Sequence, residues 1–249
     1  MKKDLNYYKK LDLKFKKENR TFYNLTRDFV FKSVFDYNPN ILKRMFISVL
    51  KLDLIPSITN IDLKNIEMPK DIKKEYKKNL DLLVFLSPNH TISVEVNNSP
   101  FEDVKRRNVM YLAKVFSQSL NSGENHRLLK NRKFYQLNIN SENSNFGEDS
   151  WYIRSTNTGK IAIDDIAFYI KNIEFYYDLY YTKHRKLEED KLWLVLIASK
   201  NFEEMYTIAS KLMSGKERDK FMEDVERINM DAYTLTKEEQ EFMEDEILN

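Results

Sequence analysis

Asp81 and Glu95 sit in two apolar runs, 78–86 and 91–97, separated by the turn-forming Ser87-Pro88-Asn89-His90. Side chains along a strand alternate between two faces, so Asp81 points away from Leu80, Leu82, Val84 and Leu86, and Glu95 points away from Ile92, Val94 and Val96. The apolar sets can enter a core while the acids stay on the other side. Two carboxylates facing each other across a strand pair repel unless they share a cation, and hard oxygen ligands suit magnesium better than zinc or copper. The chemistry this pairing suggests is metal-dependent hydrolysis.

These residues must be positioned by the elements around them. The first twenty residues, rich in Lys, Asn and Tyr, read as an extended or frayed arm. Residues 24–36 and 41–50 place apolar side chains at helical spacing on either side of the Asn38-Pro39-Asn40 break, which predicts a helical hairpin. A short strand is expected within 54–66. After the strand pair, residues 101–120 repeat apolar positions every three or four residues, predicting an amphipathic helix against the sheet, ended by Gly123. Residues 133–140 alternate and predict a further strand, 141–150 a loop, and 151–154 with 166–170 returning edge strands. Beyond Leu187 three helical segments follow, the second with Asn201 as its N-cap.

At 249 residues, 42% of them hydrophobic and 13% aromatic, the chain is long enough to bury a sizeable core. It has no apolar run of membrane-spanning length, no apolar leader after its basic start and no cysteine. No membrane association and a cytoplasmic location are therefore expected. His90, His126 and His184 are scattered, so no zinc spacing exists, and His90 reads as a turn residue. Glu67 reads as a solvent-facing residue of a Lys-rich connection. With four glycines and no phosphate-cradling loop, a nucleotide-binding enzyme is not expected. The net charge of +2 hides an uneven distribution: residues 105–133 hold eight bases against one acid, and residues 216–249 hold twelve acids against five bases. A basic middle beside a carboxylate pair is what a polyanionic substrate calls for, although solvated helix faces have the same composition.

A strand bearing Asp, a turn, and a strand ending Glu-x-polar resembles the core of the PD-(D/E)XK nucleases. The chain is similar over most of its length to one branch of them, the PD-(D/E)XK nuclease family transposases or Rpn-like recombination-promoting nucleases. The resemblance rests on Asp28-Phe29-Val30-Phe31-Lys32-Ser33-Val34-Phe35, on Leu80-Asp81 and Ser93-Val94-Glu95-Val96-Asn97, on Arg107 and Tyr111, on Gly123-Glu124-Asn125, and on the helical tail with Trp193. It implies an α/β fold: a restriction-endonuclease-like mixed sheet flanked by helices, with a C-terminal helical extension. The organisation expected is an arm at 1–23, a nuclease core at 24–186 and a helical subdomain at 187–249.

The resemblance further implies that Asp81 and Glu95 bind Mg2+, with Mn2+ as a substitute, and that Asp28 is an additional acid at the site. A third group usually orients the attacking water: a lysine in many of these enzymes, a glutamine in this branch. Here it is Asn97, whose amide is one methylene shorter than that of glutamine. Lys78 and Lys105 are alternative sources of an amine. Asp28 and Lys32 are one helical turn apart, as are Arg107 and Tyr111. Lys32 and Arg107 are expected to meet phosphate and Tyr111 a base, the alternatives being a surface ion pair of Asp28 with Lys32, a cap or an ion pair with an acid for Arg107, and a core ring for Tyr111.

Two functions follow. One is a magnesium-dependent DNA endonuclease of a mobile-element or genome-defence setting. The other is a nuclease fold that has lost catalysis and acts by binding nucleic acid or a protein, for example as an inhibitor in phage–host conflict, with the acidic C-terminal helices as the partner surface. A homodimer is compatible with either.

Overall fold

A computed structural model describes residues 3–52, 62–64, 82–87, 90–97, 104–117, 132–141 and 145–234. Helices α1 (Leu5–Lys17), α2 (Asp28–Tyr37) and α3 (Pro39–Val49) precede strands β1 (Asp62–Lys64), β2 (Leu82–Ser87) and β3 (His90–Asn97). Helix α4 (Val104–Ser117) leads to β4 (Lys133–Asn140), β5 (Glu148–Arg154) and β6 (Ile161–Asn172). The chain then runs through α5 (Ile173–Tyr177), a π-helical turn, α6 (Glu189–Ala198), α7 (Phe202–Leu212) and α8 (Gly215–Thr234).

The six strands form one mixed sheet in the order β1-β2-β3-β4-β6-β5. The β2–β3 hairpin is antiparallel, whereas β4 lies parallel to β3 and β6 parallel to β4. A parallel neighbour requires a crossover, and α4 lies within the one between β3 and β4. On one face, Val84, Ile92, Val94, Leu137 and Ile139 join a large apolar cluster with Phe31, Phe35, Phe46, Trp193, Phe202 and Phe221 from the helices. On the other face, Leu112 of α4 meets Phe134, Phe168 and Ile170 in a smaller cluster. Beside that cluster the same face carries the polar residues of β3 and β4, and the candidate chemistry lies there.

The expected order of helical hairpin, strand pair, helix, strand and C-terminal helices is present, and Lys133–Asn140 forms the strand read from its alternation. Three expectations are corrected. The N-terminal arm is a helix: Asp4 accepts from the Tyr7 amide at 3.0 Å as its N-cap, and Tyr8, Leu11 and Phe15 form a narrow buried stripe in a Lys-rich segment. The Asp12 carboxylate also accepts from the Phe202 and Glu203 amides, both at 2.9 Å, and so caps α7.

β6 is not an edge strand. It lies between β4 and β5 because Ile166, Phe168 and Ile170 pack in the cluster beneath α4, which leaves only β5 at that border. His90 is the first residue of β3, and burial followed by the nearby Lys133 charge lowers its pKa. Helix α6 is buried all round from Trp193 to Ala198, as an unbroken apolar run requires. Asn201 caps α7 as expected, accepting from the Glu204 amide at 2.8 Å. Among the described residues no helix is long and apolar enough to cross a membrane.

Candidate nuclease site

Strand alternation along β3 puts Ile92 and Val94 into the large cluster and turns Ser93, Glu95 and Asn97 towards α4. β4 does the same with Gln136, Asn138 and Asn140, which lie beside Ser93, Glu95 and Asn97 in parallel register. Glu95 is only 2% exposed and Asn97 7%. Burying a carboxylate costs several kcal/mol unless charge and hydrogen bonds compensate it. One compensating charge is Arg107 on α4, whose Nη2 lies 3.7 Å from Glu95 Oε2.

Arg107 is held on three sides. Its Nη2 donates to Asn97 Oδ1 at 2.7 Å and its Nε to Asn108 Oδ1 at 3.2 Å, and its guanidinium carbon lies 5.9 Å from the centre of the Tyr111 ring. Tyr111 is 3% exposed, so its ring is a buried support under the guanidinium. The Arg107 side chain keeps 29% of its surface. The Asn97 amide also donates to Asn140 Oδ1 at 2.9 Å, and its backbone carbonyl accepts from both the amide and the hydroxyl of Ser141.

Glu95, Asn97, Arg107 and Tyr111 are thus brought together. Asp81 lies outside the described residues, as do Lys78, Glu67, His126 and the side chains of Asp28 and Lys105. Lys32 is half-buried on α2, the helix that packs on α8. Asn108, Gln136, Asn138, Asn140 and Asn172 join the site without having been singled out. For Gln136, Asn138 and Asn140 the signal was a polar residue at every second position of β4.

A divalent cation is compatible with the donor chemistry. Glu95 offers a buried hard oxygen donor, and Arg107 sits beyond the 2.7–2.9 Å usual for a charge-assisted hydrogen bond to it. Among the described residues no three His, Cys, Asp or Glu side chains converge to hold a metal ion.

A hairpin whose second strand carries a buried Glu-x-polar pair, followed by a helix and a parallel strand inside a mixed sheet flanked by helices, defines a restriction-endonuclease-like α/β protein. The chain belongs to the PD-(D/E)XK nuclease family transposases, whose family model matches residues 25–246. Membership supports a nuclease- or transposase-like function and implies binding of nucleic acid, and nucleases of this type generally use divalent metal ions. Comparison with curated proteins found no match, and comparison with solved structures found none.

Proposed function

We propose that the protein is a magnesium-dependent DNA endonuclease of a mobile-element or genome-defence setting, with Asp81 and Glu95 as the metal ligands. The observation that carries this reading is the position of Glu95: a buried carboxylate on the polar face of β3, one residue beyond the last described hairpin pair, Leu82 with Val94. Asp81 immediately precedes Leu82 in sequence. The alternation read from the sequence assigns Asp81 and Glu95 each to the polar side of its own run.

A divalent ion held there would supply Lewis acidity and a water of lowered pKa. The water oxygen bonds to phosphorus, the bond from phosphorus to the leaving sugar oxygen breaks, the water proton passes to solvent, and the leaving oxygen takes up a proton. Arg107 and Lys32 are the proposed phosphate contacts, Tyr111 supports Arg107, and Asp28 is a further acid. Isothermal calorimetry tests the metal assignment: Mg2+ binds the parent at millimolar concentration, and Glu95→Ala removes the heat of binding. Equal binding by parent and variant would refute it.

A second reading, a nuclease fold that binds without cutting, is favoured by the engagement of Asn97. Its oxygen is taken by Arg107 and its amide nitrogen donates to Asn140. Cleavage restored or raised by Asn97→Lys would show that the third group alone had been lost.

A further inference from the structure

The polar face beneath α4 is crossed by two rows of amides, and both begin at Arg107. In the first, Arg107 Nη2 donates to Asn97, Asn97 Nδ2 to Asn140 Oδ1 at 2.9 Å, Asn140 Nδ2 to Asn172 Oδ1 at 3.3 Å, and Asn172 Nδ2 to the Phe146 carbonyl at 2.9 Å. In the second, Arg107 Nε donates to Asn108, Asn108 Nδ2 to Asn138 Oδ1, and Asn138 Nδ2 to the Tyr169 carbonyl at 3.0 Å. The parallel register makes the first row possible: Asn97, Asn140 and Asn172 are neighbours across β3, β4 and β6.

A guanidinium can only donate and a backbone carbonyl can only accept, so each row has a donor-only and an acceptor-only end. Between such ends every amide is forced into one orientation, oxygen towards Arg107 and nitrogen away. Asn108 and Asn138 are fully enclosed, and reversing any one amide would set oxygen against oxygen inside a buried network. This rigidity converges on one side chain. The remaining nitrogen, Nη1, has no hydrogen-bond partner among the described residues, and the side chain reaches solvent beside Glu95.

We propose that Arg107 grips the phosphodiester next to Glu95, and that Asn97, Asn140 and Asn172, with Asn108 and Asn138, are positioning residues that fix its guanidinium plane. This rests on the nucleic-acid reading above and changes the part assigned to Asn97. Asn97 acts through Arg107 and does not itself orient the water. A guanidinium fixed in plane can present two parallel N–H groups to two phosphate oxygens, a geometry that a lysine at the Asn97 position would not supply.

The test is a double-mutant cycle read by binding, with no cleavage needed. A fluorescein-labelled DNA duplex is titrated by fluorescence anisotropy with Ca2+ in place of Mg2+. Arg107→Ala is expected to weaken binding about tenfold and to lower the salt slope by about one. Asn140→Ala weakens it about threefold in the parent and not at all in the Arg107→Ala background, because its effect passes through that side chain. Arg107→Lys, which keeps the charge and loses the fork, binds between parent and Arg107→Ala.

An Asn140→Ala penalty of equal size in both backgrounds would overturn the proposal, as would an Arg107→Lys protein that binds like the parent. A parent that shows this pattern but leaves the duplex intact in Mg2+ upholds the positioning role and removes the hydrolytic reading. Glu95-dependent cleavage with no loss of binding on Arg107→Ala does the reverse.

Discussion

Two buried charged side chains meet partners on opposite faces of the sheet. Beside Glu95 the neighbouring cation is Arg107. On the other face the Lys171 ammonium, 7% exposed, is paired with Glu148 at the start of β5. Burial works to raise the Glu148 pKa, but the hydrogen bond and charge of Lys171, together with the charges of Lys191 and Lys51, outweigh it and hold the carboxyl below its usual range. The folded pKa is therefore depressed. The pair's stabilisation is complete above the ordinary Glu pKa of about 4.3 and is lost as pH falls through the lower folded value. Glu148→Gln leaves a buried ammonium without its counter-charge, so it is expected to lower stability near neutral pH by about 1–3 kcal/mol. Urea unfolding of parent and variant across the acid range checks this: the two curves approach each other as pH falls below the ordinary Glu pKa of about 4.3 and meet only below the lower folded value.

At the scale of elements, α1 and α7 are joined by Asp12 as well as by apolar contact. Two α7 amides end on the Asp12 carboxylate while Asn201 takes a third, so both residues serve one helix terminus. Asp12→Ala and Asn201→Ala are each expected to cost about 1 kcal/mol, with Asp12→Asn recovering part of the loss because one acceptor remains. Thermal melts of the three variants measure this directly. The Asn201 cap was legible in sequence because an N-cap is a local pattern, followed here by Glu203 and Glu204. The Asp12 cap was not, since it reaches across 190 residues. For the same reason β4 was recognised from its alternation, whereas the place of β6 between β4 and β5 depends on long-range pairing that no local pattern encodes. Glu95 was singled out by type and spacing, and Asn97 and Arg107 by the family resemblance. The asparagines behind them carry the same alternation, but their role appears only once parallel register sets 97 beside 140 and 140 beside 172.

At the scale of the molecule, one apolar cluster links α1, α2, α3, the sheet and the C-terminal helices, with Phe202 in contact with Tyr8, Phe15 and Phe22. A core shared in this way is expected to unfold in one transition, with near- and far-ultraviolet circular dichroism losing signal together. Removing residues 1–17 would uncover Phe202 and Tyr206 and is expected to abolish that cooperative melt. The shared core also serves the site: it backs β3 and β4 from behind, so the polar residues on their other face are carried by strands that cannot shift independently.

The central claim is that Glu95 lies at the hydrolytic centre, and cleavage of supercoiled plasmid with Mg2+ tests it most directly. The parent is expected to nick and linearise the plasmid, chelation by EDTA to stop it, and Glu95→Ala and Asp81→Ala to leave the plasmid intact while retaining the parent's circular dichroism spectrum. Cleavage by Glu95→Ala at the parent's rate, or plasmid left intact by the parent with both Mg2+ and Mn2+, would contradict the account.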